Sequence, residues 1–160
     1  MSADTLQDTF RHNLAFLLDE TFVSPAHSGG SVYLDRDAGW GATLASLSAE
    51  EASRALSPGG STIAGHVEHA RFYLEVLLRY AEGKGESVDW ADSWQVHDVT
   101  PVAWDALRAS FAETSRRAHD TLLARESWDD HAMGAALGIL AHSAYHLGAV
   151  RQRALALRSS

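Results

Sequence analysis

The sequence predicts an all-α protein, a four-helix bundle with long loops after the first and second long helices. Three observations predict it. Apolar residues recur at three- and four-residue spacing in four separate long stretches. Helix start and stop signals bracket those stretches. No segment alternates apolar and polar residues as a half-buried strand does. The 160 residues suit one domain spanning 1–160, and an apolar content of 46% is enough to bury a core.

The first helix is predicted from about Asp4 to Thr21, where Leu6, Phe10, Leu14, Leu17 and Thr21 form one stripe. Pro25 and the run Ser28 to Gly30 end it. A long connection follows, rich in Gly and Asp, and its aromatics Tyr33 and Trp40 argue that it packs down. A short helix is expected over residues 48–56, opened by a capping box from Ser48 to Glu51. The second long helix is predicted to start with Ser61 as its N-cap and to stop near Gly83, which can take the left-handed conformation. A loop with Trp90, Trp94 and His97 leads to Thr100 and Pro101, a cap followed by proline at the first helical position. The third stripe is Trp104, Leu107, Phe111, Ser115, Ala118 and Leu122. The fourth helix is expected from about His131 to Leu157. Its many small residues, among them Gly134, Gly138 and Gly148, suggest close approach by a neighbour or a ligand.

Composition narrows the chemistry. The chain has no cysteine, which excludes disulfides, thiolate metal sites and thiol nucleophiles. Any metal must be held by His, Asp or Glu. A formal net charge of −8 argues against a nucleic acid partner, whose phosphates call for clustered Lys and Arg. No apolar run reaches the roughly 18 residues of a membrane span. The N-terminus lacks the layout of a signal peptide, so the cytoplasm is the expected compartment.

Nine histidines are the oddity. His142 and His146 lie one helical turn apart, about 40° around the axis, on the face that carries Ala135, Ile139, Val150 and Leu157. Such a pair can place two imidazole nitrogens on one metal ion. The second long helix offers a third. Its acids and bases Glu68, Arg71, Glu75 and Arg79 share one side, and Ile63, Val67, Ala70, Leu74 and Leu77 share the other. His66 falls near the centre of the apolar arc and His69 at its flank, beside Val76 and Tyr80. The wheel does not choose between them. The bland alternative is that these imidazoles only pack, in a plain helical dimerisation domain. His12, His119 and His131 read as surface or capping residues; His27 and His97 fall in loops. Asp35 and Asp37 form a loop pair able to bind a cation. Ser143 beside His142 implies no Ser–His dyad, because adjacent helix positions diverge by about 100°. The Ser57–Ser61 segment reads as a linker with only a faint anion-binding signal.

With "TIAGHVEH" in the second long helix and "HSAYHLGAVRQ" in the last, the chain resembles the DinB/YfiT-like superfamily of small bacterial metal-binding four-helix bundles. The order of elements agrees over nearly the whole chain. By position, the resemblance implies metal ligands at His69, His142 and His146, with His66 a core or outer-shell histidine near the metal. Leu147 stands where many members carry a basic residue, so no single member's substrate specificity carries over.

Three neutral imidazoles suit zinc or nickel, with iron or manganese as further options, and leave at least one coordination position open. The resemblance points to a metal-dependent S-transferase that activates a low-molecular-weight thiol of the bacillithiol or mycothiol type toward an electrophile, the loop with Tyr33 and Trp40 shaping its pocket. The alternative is a non-enzymatic metal-binding stress or damage-response protein. Five Trp and four Tyr in so small a bundle suggest a homodimer.

Overall fold

The computed structural model describes residues 3–23, 31–81 and 83–159; Pro25, His27 and Ser28–Gly30 lie outside the described residues. Among these, all regular structure is helical. The elements are α1 (Ala3–Phe22), α2 (Trp40–Ala45), α3 (Ala49–Ser53), α4 (Ile63–Ala81), a 3₁₀ helix (Trp90–Trp94), α5 (Pro101–Leu123) and α6 (Asp130–Arg158). The long helices α1, α4, α5 and α6 make the bundle. α4 and α1 each pack against both α5 and α6. None of the described helices is long and apolar enough to cross a membrane.

Four of the described α-helices start at a side-chain cap. Ser48 and Glu51 form the capping box of α3. Thr100 accepts from Ala103 N ahead of Pro101, and Asp129 accepts from Ala132 N to open α6. The cap of α4 differs from expectation. Thr62, not Ser61, takes the role, accepting from Gly65 N at 3.1 Å. Ser61 is turned toward other partners, described below. At the far end of α4, Gly83 sits at φ +71°. Gly83 N bonds Tyr80 O and Lys84 N bonds Arg79 O, a Schellman closure that satisfies two end carbonyls.

The core is continuous from Leu14, Leu18 and Phe22 of α1 through Ile63, Val67, Ala70 and Leu74 of α4 to Phe111 and Leu122 of α5 and Ile139, Leu147 and Val150 of α6. Trp40 is fully buried against Phe111 at 4.6 Å between ring centroids, and its Nε1 donates to Ser143 O at 3.2 Å. Trp104 Nε1 likewise donates to Leu47 O at 3.0 Å. Both indoles bury apolar area while keeping their one polar atom satisfied. Leu147 is buried in this core, which explains an apolar residue there.

Two expectations for α6 are not met. Ala135 is exposed, because the first turns of α6 bury the face carrying Ala132 and Ala136 instead. Gly134 and Gly148 are exposed with open space where a side chain would stand, and Gly138 faces only the Tyr73 hydroxyl at 3.7 Å. Among the described residues, nothing packs into the space beside Gly134 or Gly148.

A buried carboxylate ties the first long connection to α1. Glu20 has no exposed surface. Its Oε1 accepts from Val32 N, Tyr33 N and Leu34 N at 3.1, 3.0 and 2.7 Å. Beside it, Thr21 bonds the Tyr33 hydroxyl.

Candidate metal centre

α4 and α6 lie side by side, and each presents two histidines to the other. His66 and His146 are buried; His69 and His142 are half-buried. His69 Nε2 lies 3.1 Å from His142 Nε2, and His66 Nδ1 lies 2.9 Å from His146 Nδ1. His146 sits between the others, its ring centroid 4.6 Å from that of His69 and 4.5 Å from that of His142. His69, His142 and His146 each offer a nitrogen, and the three atoms lie within 4.8 Å of one another. Ligands at about 2.1 Å from a tetrahedral ion are roughly 3.4 Å apart, so closing this set on one ion takes only small side-chain adjustments. The three histidines could hold a metal ion.

The electrostatics favour bare nitrogens. Burial, followed by the neighbouring His142, His69 and His66, pushes His146 down to about 3. Burial and then His69 push His142 to about 4. His66 also falls to about 4, through burial first and then the Arg153 charge and His69. Burial lowers His69 as well. Neutral imidazole is the metal-binding form. His142 Nδ1 is buried with no hydrogen-bond partner among the described residues, one of seven such side-chain atoms.

Aromatic rings frame the cluster. Trp94 of the 3₁₀ helix stacks on His69 at 4.2 Å and 18°. Tyr73 stacks on His142 at 3.7 Å and 14°, and exposed Tyr145 meets His146 edge-on. Tyr33 and Trp40, expected to shape the pocket, have partners of their own. Tyr33 is engaged by Thr21, and Trp40 belongs to the core. Asp35 and Asp37 are exposed and join no three-donor cluster among the described residues. His12, His97 and His131 are exposed. His119 is not a plain surface residue: it is half-buried, with Nε2 at 3.1 Å from Asp19. The Ser57–Ser61 segment turns through Gly59 at φ +72° and a Gly60 N to Ser57 O bond.

Sequence reasoning missed the outer partners. Ser93 Oγ lies 2.7 Å from His69 Nδ1, Ser61 Oγ lies 3.1 Å from His66 Nε2, and Arg153 donates to Ser61 Oγ at 2.7 Å. Arg153 follows His146 by seven residues, a helical spacing that could have placed it. Ser93 comes from a 3₁₀ turn with no periodic signal. A cavity of about 870 Å³ lies between α1, α2 and α5, and none of the four clustered histidines lines it.

No curated protein and no solved structure matches the chain. A family model described as the DinB superfamily matches residues 38–150, from the entry into α2 to the His142–His146 turn and beyond, including the whole of α4. With the histidines of α4 and α6 both inside that match, the chain belongs to the DinB superfamily.

Proposed function

We propose that His69, His142 and His146 hold one divalent metal ion with at least one position open, and that this centre activates a low-molecular-weight thiol of the bacillithiol or mycothiol type for transfer to an electrophile. The observation that carries the reading is the convergence of three desolvated imidazole nitrogens from two helices. Such a donor set suits zinc or nickel, and iron or manganese next. A bound ion would supply Lewis acidity, lowering the pKa of a thiol or water placed against it. In the transfer the thiol proton passes to solvent, a sulfur–carbon bond forms, and the electrophile's leaving group departs with its bonding pair. The chain's own residues hold the ring nitrogens in place, and Trp94 and Tyr73 cover the faces of His69 and His142 against water.

The test is metal analysis of protein purified without a histidine tag or chelator, then conjugation assays of an electrophile with candidate thiols. Stoichiometric metal and thiol-dependent conjugation support the reading; metal without any conjugation supports the second reading, a non-enzymatic metal-binding stress or damage-response protein. The 870 Å³ cavity between α1, α2 and α5 lies away from the histidines, which supports that alternative.

The same reading includes a homodimer. Along the outward side of α6, Gly134, Leu137, Ala141, Tyr145, Gly148, Gln152 and Leu155 are exposed and uncharged. Paired antiparallel about Ala141, this stripe sets Leu137 against Tyr145 and Gly134 against Gly148, as a two-fold contact requires. Light scattering should give a dimer mass that Tyr145→Glu halves. A wild-type monomer over a wide concentration range contradicts it.

A further inference from the structure

The rings of the cluster are held in different ways, and hydrogen-bond bookkeeping assigns their protons. Ser93 is fully buried. Its hydroxyl donates to the Trp90 carbonyl at 2.6 Å. A hydroxyl has one proton, and a carbonyl can only accept. The 2.7 Å contact between Ser93 Oγ and His69 Nδ1 therefore has Nδ1–H as its donor. A neutral His69 then has a bare Nε2, and that atom is the one facing His142.

His146 is reached through a relay. Arg153 donates to Ser61 Oγ, because a guanidinium has no acceptor. His66 Nε2 lies 3.1 Å from the same oxygen and His66 Nδ1 lies 2.9 Å from His146 Nδ1. Two neutral rings share one proton at that second contact. With Nε2–H of His66 donating to Ser61, His66 Nδ1 is bare and accepts from His146 Nδ1–H. That direction leaves His146 Nε2 bare. The opposite direction puts a proton on His146 Nε2 and blocks it as a ligand. His142 has no such outer partner: its Nδ1 is unpartnered among the described residues, its Nε2 lies 3.1 Å from His69 Nε2, and its ring stacks on Tyr73.

We propose that Ser93 and His66 are positioning residues for the metal, Ser93 by fixing the Nδ1–H tautomer and orientation of His69, and His66 by accepting from His146 Nδ1–H with Ser61 and Arg153 behind it. This rests on the reading of His69, His142 and His146 as ligands. Outer partners of this kind commonly tune affinity about 10- to 100-fold.

The test uses the full chain. Zinc affinity is measured by competition with a chromogenic chelator for wild type, Ser93→Ala, Ser61→Ala and His66→Leu, with far-ultraviolet spectra as a check on folding. In parallel, nitrogen NMR of histidine-labelled, metal-free wild type at pH 7.5 reads the tautomers directly. The expected result is a loss of about 10- to 100-fold in zinc affinity for Ser93→Ala and His66→Leu with helix content retained, and a smaller loss for Ser61→Ala. The His69 proton is expected on Nδ1 in wild type and distributed over both nitrogens in Ser93→Ala. A wild-type His69 protonated at Nε2 overturns the assignment without reference to any variant. Ser93→Ala binding zinc as tightly as wild type overturns the positioning role. Wild type that binds no zinc, nickel, iron(II) or manganese(II) overturns the underlying metal reading instead, and the NMR result still decides the tautomer.

Discussion

Two buried polar sites of this bundle differ in one respect that separates structure from site. At Glu20, both the cost and the compensation of burial are local: a carboxylate without solvent contact accepts from three successive backbone N–H groups of residues 32–34. Every polar atom there has somewhere to point. Between α4 and α6 the opposite holds. Four imidazoles converge, paired nitrogen to nitrogen at 2.9 and 3.1 Å, and His142 Nδ1 has no partner among the described residues. Burying polar groups without satisfying them is unfavourable. The Glu20 site is closed by its own backbone donors, whereas the histidine cluster offers three nitrogens that could hold a cation.

The largest effect that can break this comparison is loss of metal. His142→Ala with His146→Ala should abolish zinc or nickel binding, and His69→Ala alone should lower it far more than His66→Ala. The metal-free melting temperature should hardly change in the double variant, since removing under-satisfied imidazoles relieves burial as well as leaving space. Metal analysis and calorimetry check this. A site that empties on His66→Ala but stays loaded on His69→Ala contradicts the ligand assignment.

Glu20→Ala should do the reverse. It orphans three backbone donors and destabilises by about 2–3 kcal/mol, a fall of roughly 5–10 °C in Tm for a chain of this size. Metal stoichiometry should be unchanged. A loss of metal in Glu20→Ala would show that the two sites are coupled.

The third expectation concerns acid. Histidines of an unfolded chain protonate near pH 6.5, whereas His66 and His142 do so at about 4 and His146 at about 3 in the fold. Between those limits the unfolded chain binds more protons. Stability of the metal-free protein is therefore full above about pH 6.5, falls as pH drops through about 4, and levels off below about 3 as the last folded-state histidine, His146, protonates. The slope of Tm against pH should shrink in the double variant. A flat profile across that window, or an unchanged slope in the variant, contradicts the account.

The smallest effect sharpens the contrast from the surface. Arg116 pairs with Glu113 and Asp120 on the exposed side of α5 at 2.7 and 2.8 Å. Solvent screens such pairs, so Arg116→Ala should leave both Tm and metal content where they are.

Much of this was legible in the amino-acid order. The long helices follow from apolar spacing and caps, since Thr100–Pro101, Ser48–Glu51 and Gly83 act through neighbours in sequence. His142 and His146 were visible as a pair because one helix carries both. The choice between His66 and His69 was not visible on the wheel. It depends on how α4 is rotated against α6, a tertiary fact, and the resemblance chose in its place. The Thr62 cap went unseen because Ser61 offers the same chemistry one residue earlier; only the Arg153 and His66 contacts show why Ser61 turns away. α2 and the 3₁₀ helix are too short to leave a period, so Trp40 in the core and Ser93 and Trp94 beside His69 were out of reach. Glu20 was hidden for a different reason: its partners are backbone groups in a loop, and backbone carries no sequence signature.

The most direct measurement is an anomalous difference map from crystals of the zinc- or nickel-loaded protein, collected at the metal's absorption edge. The account predicts a single strong peak at about 2.0–2.1 Å from one ring nitrogen each of His69, His142 and His146, with His66 in contact with His146 rather than with the ion. A peak bonded to His66, a peak at Asp35 and Asp37, or no peak in the α4–α6 cleft would contradict it.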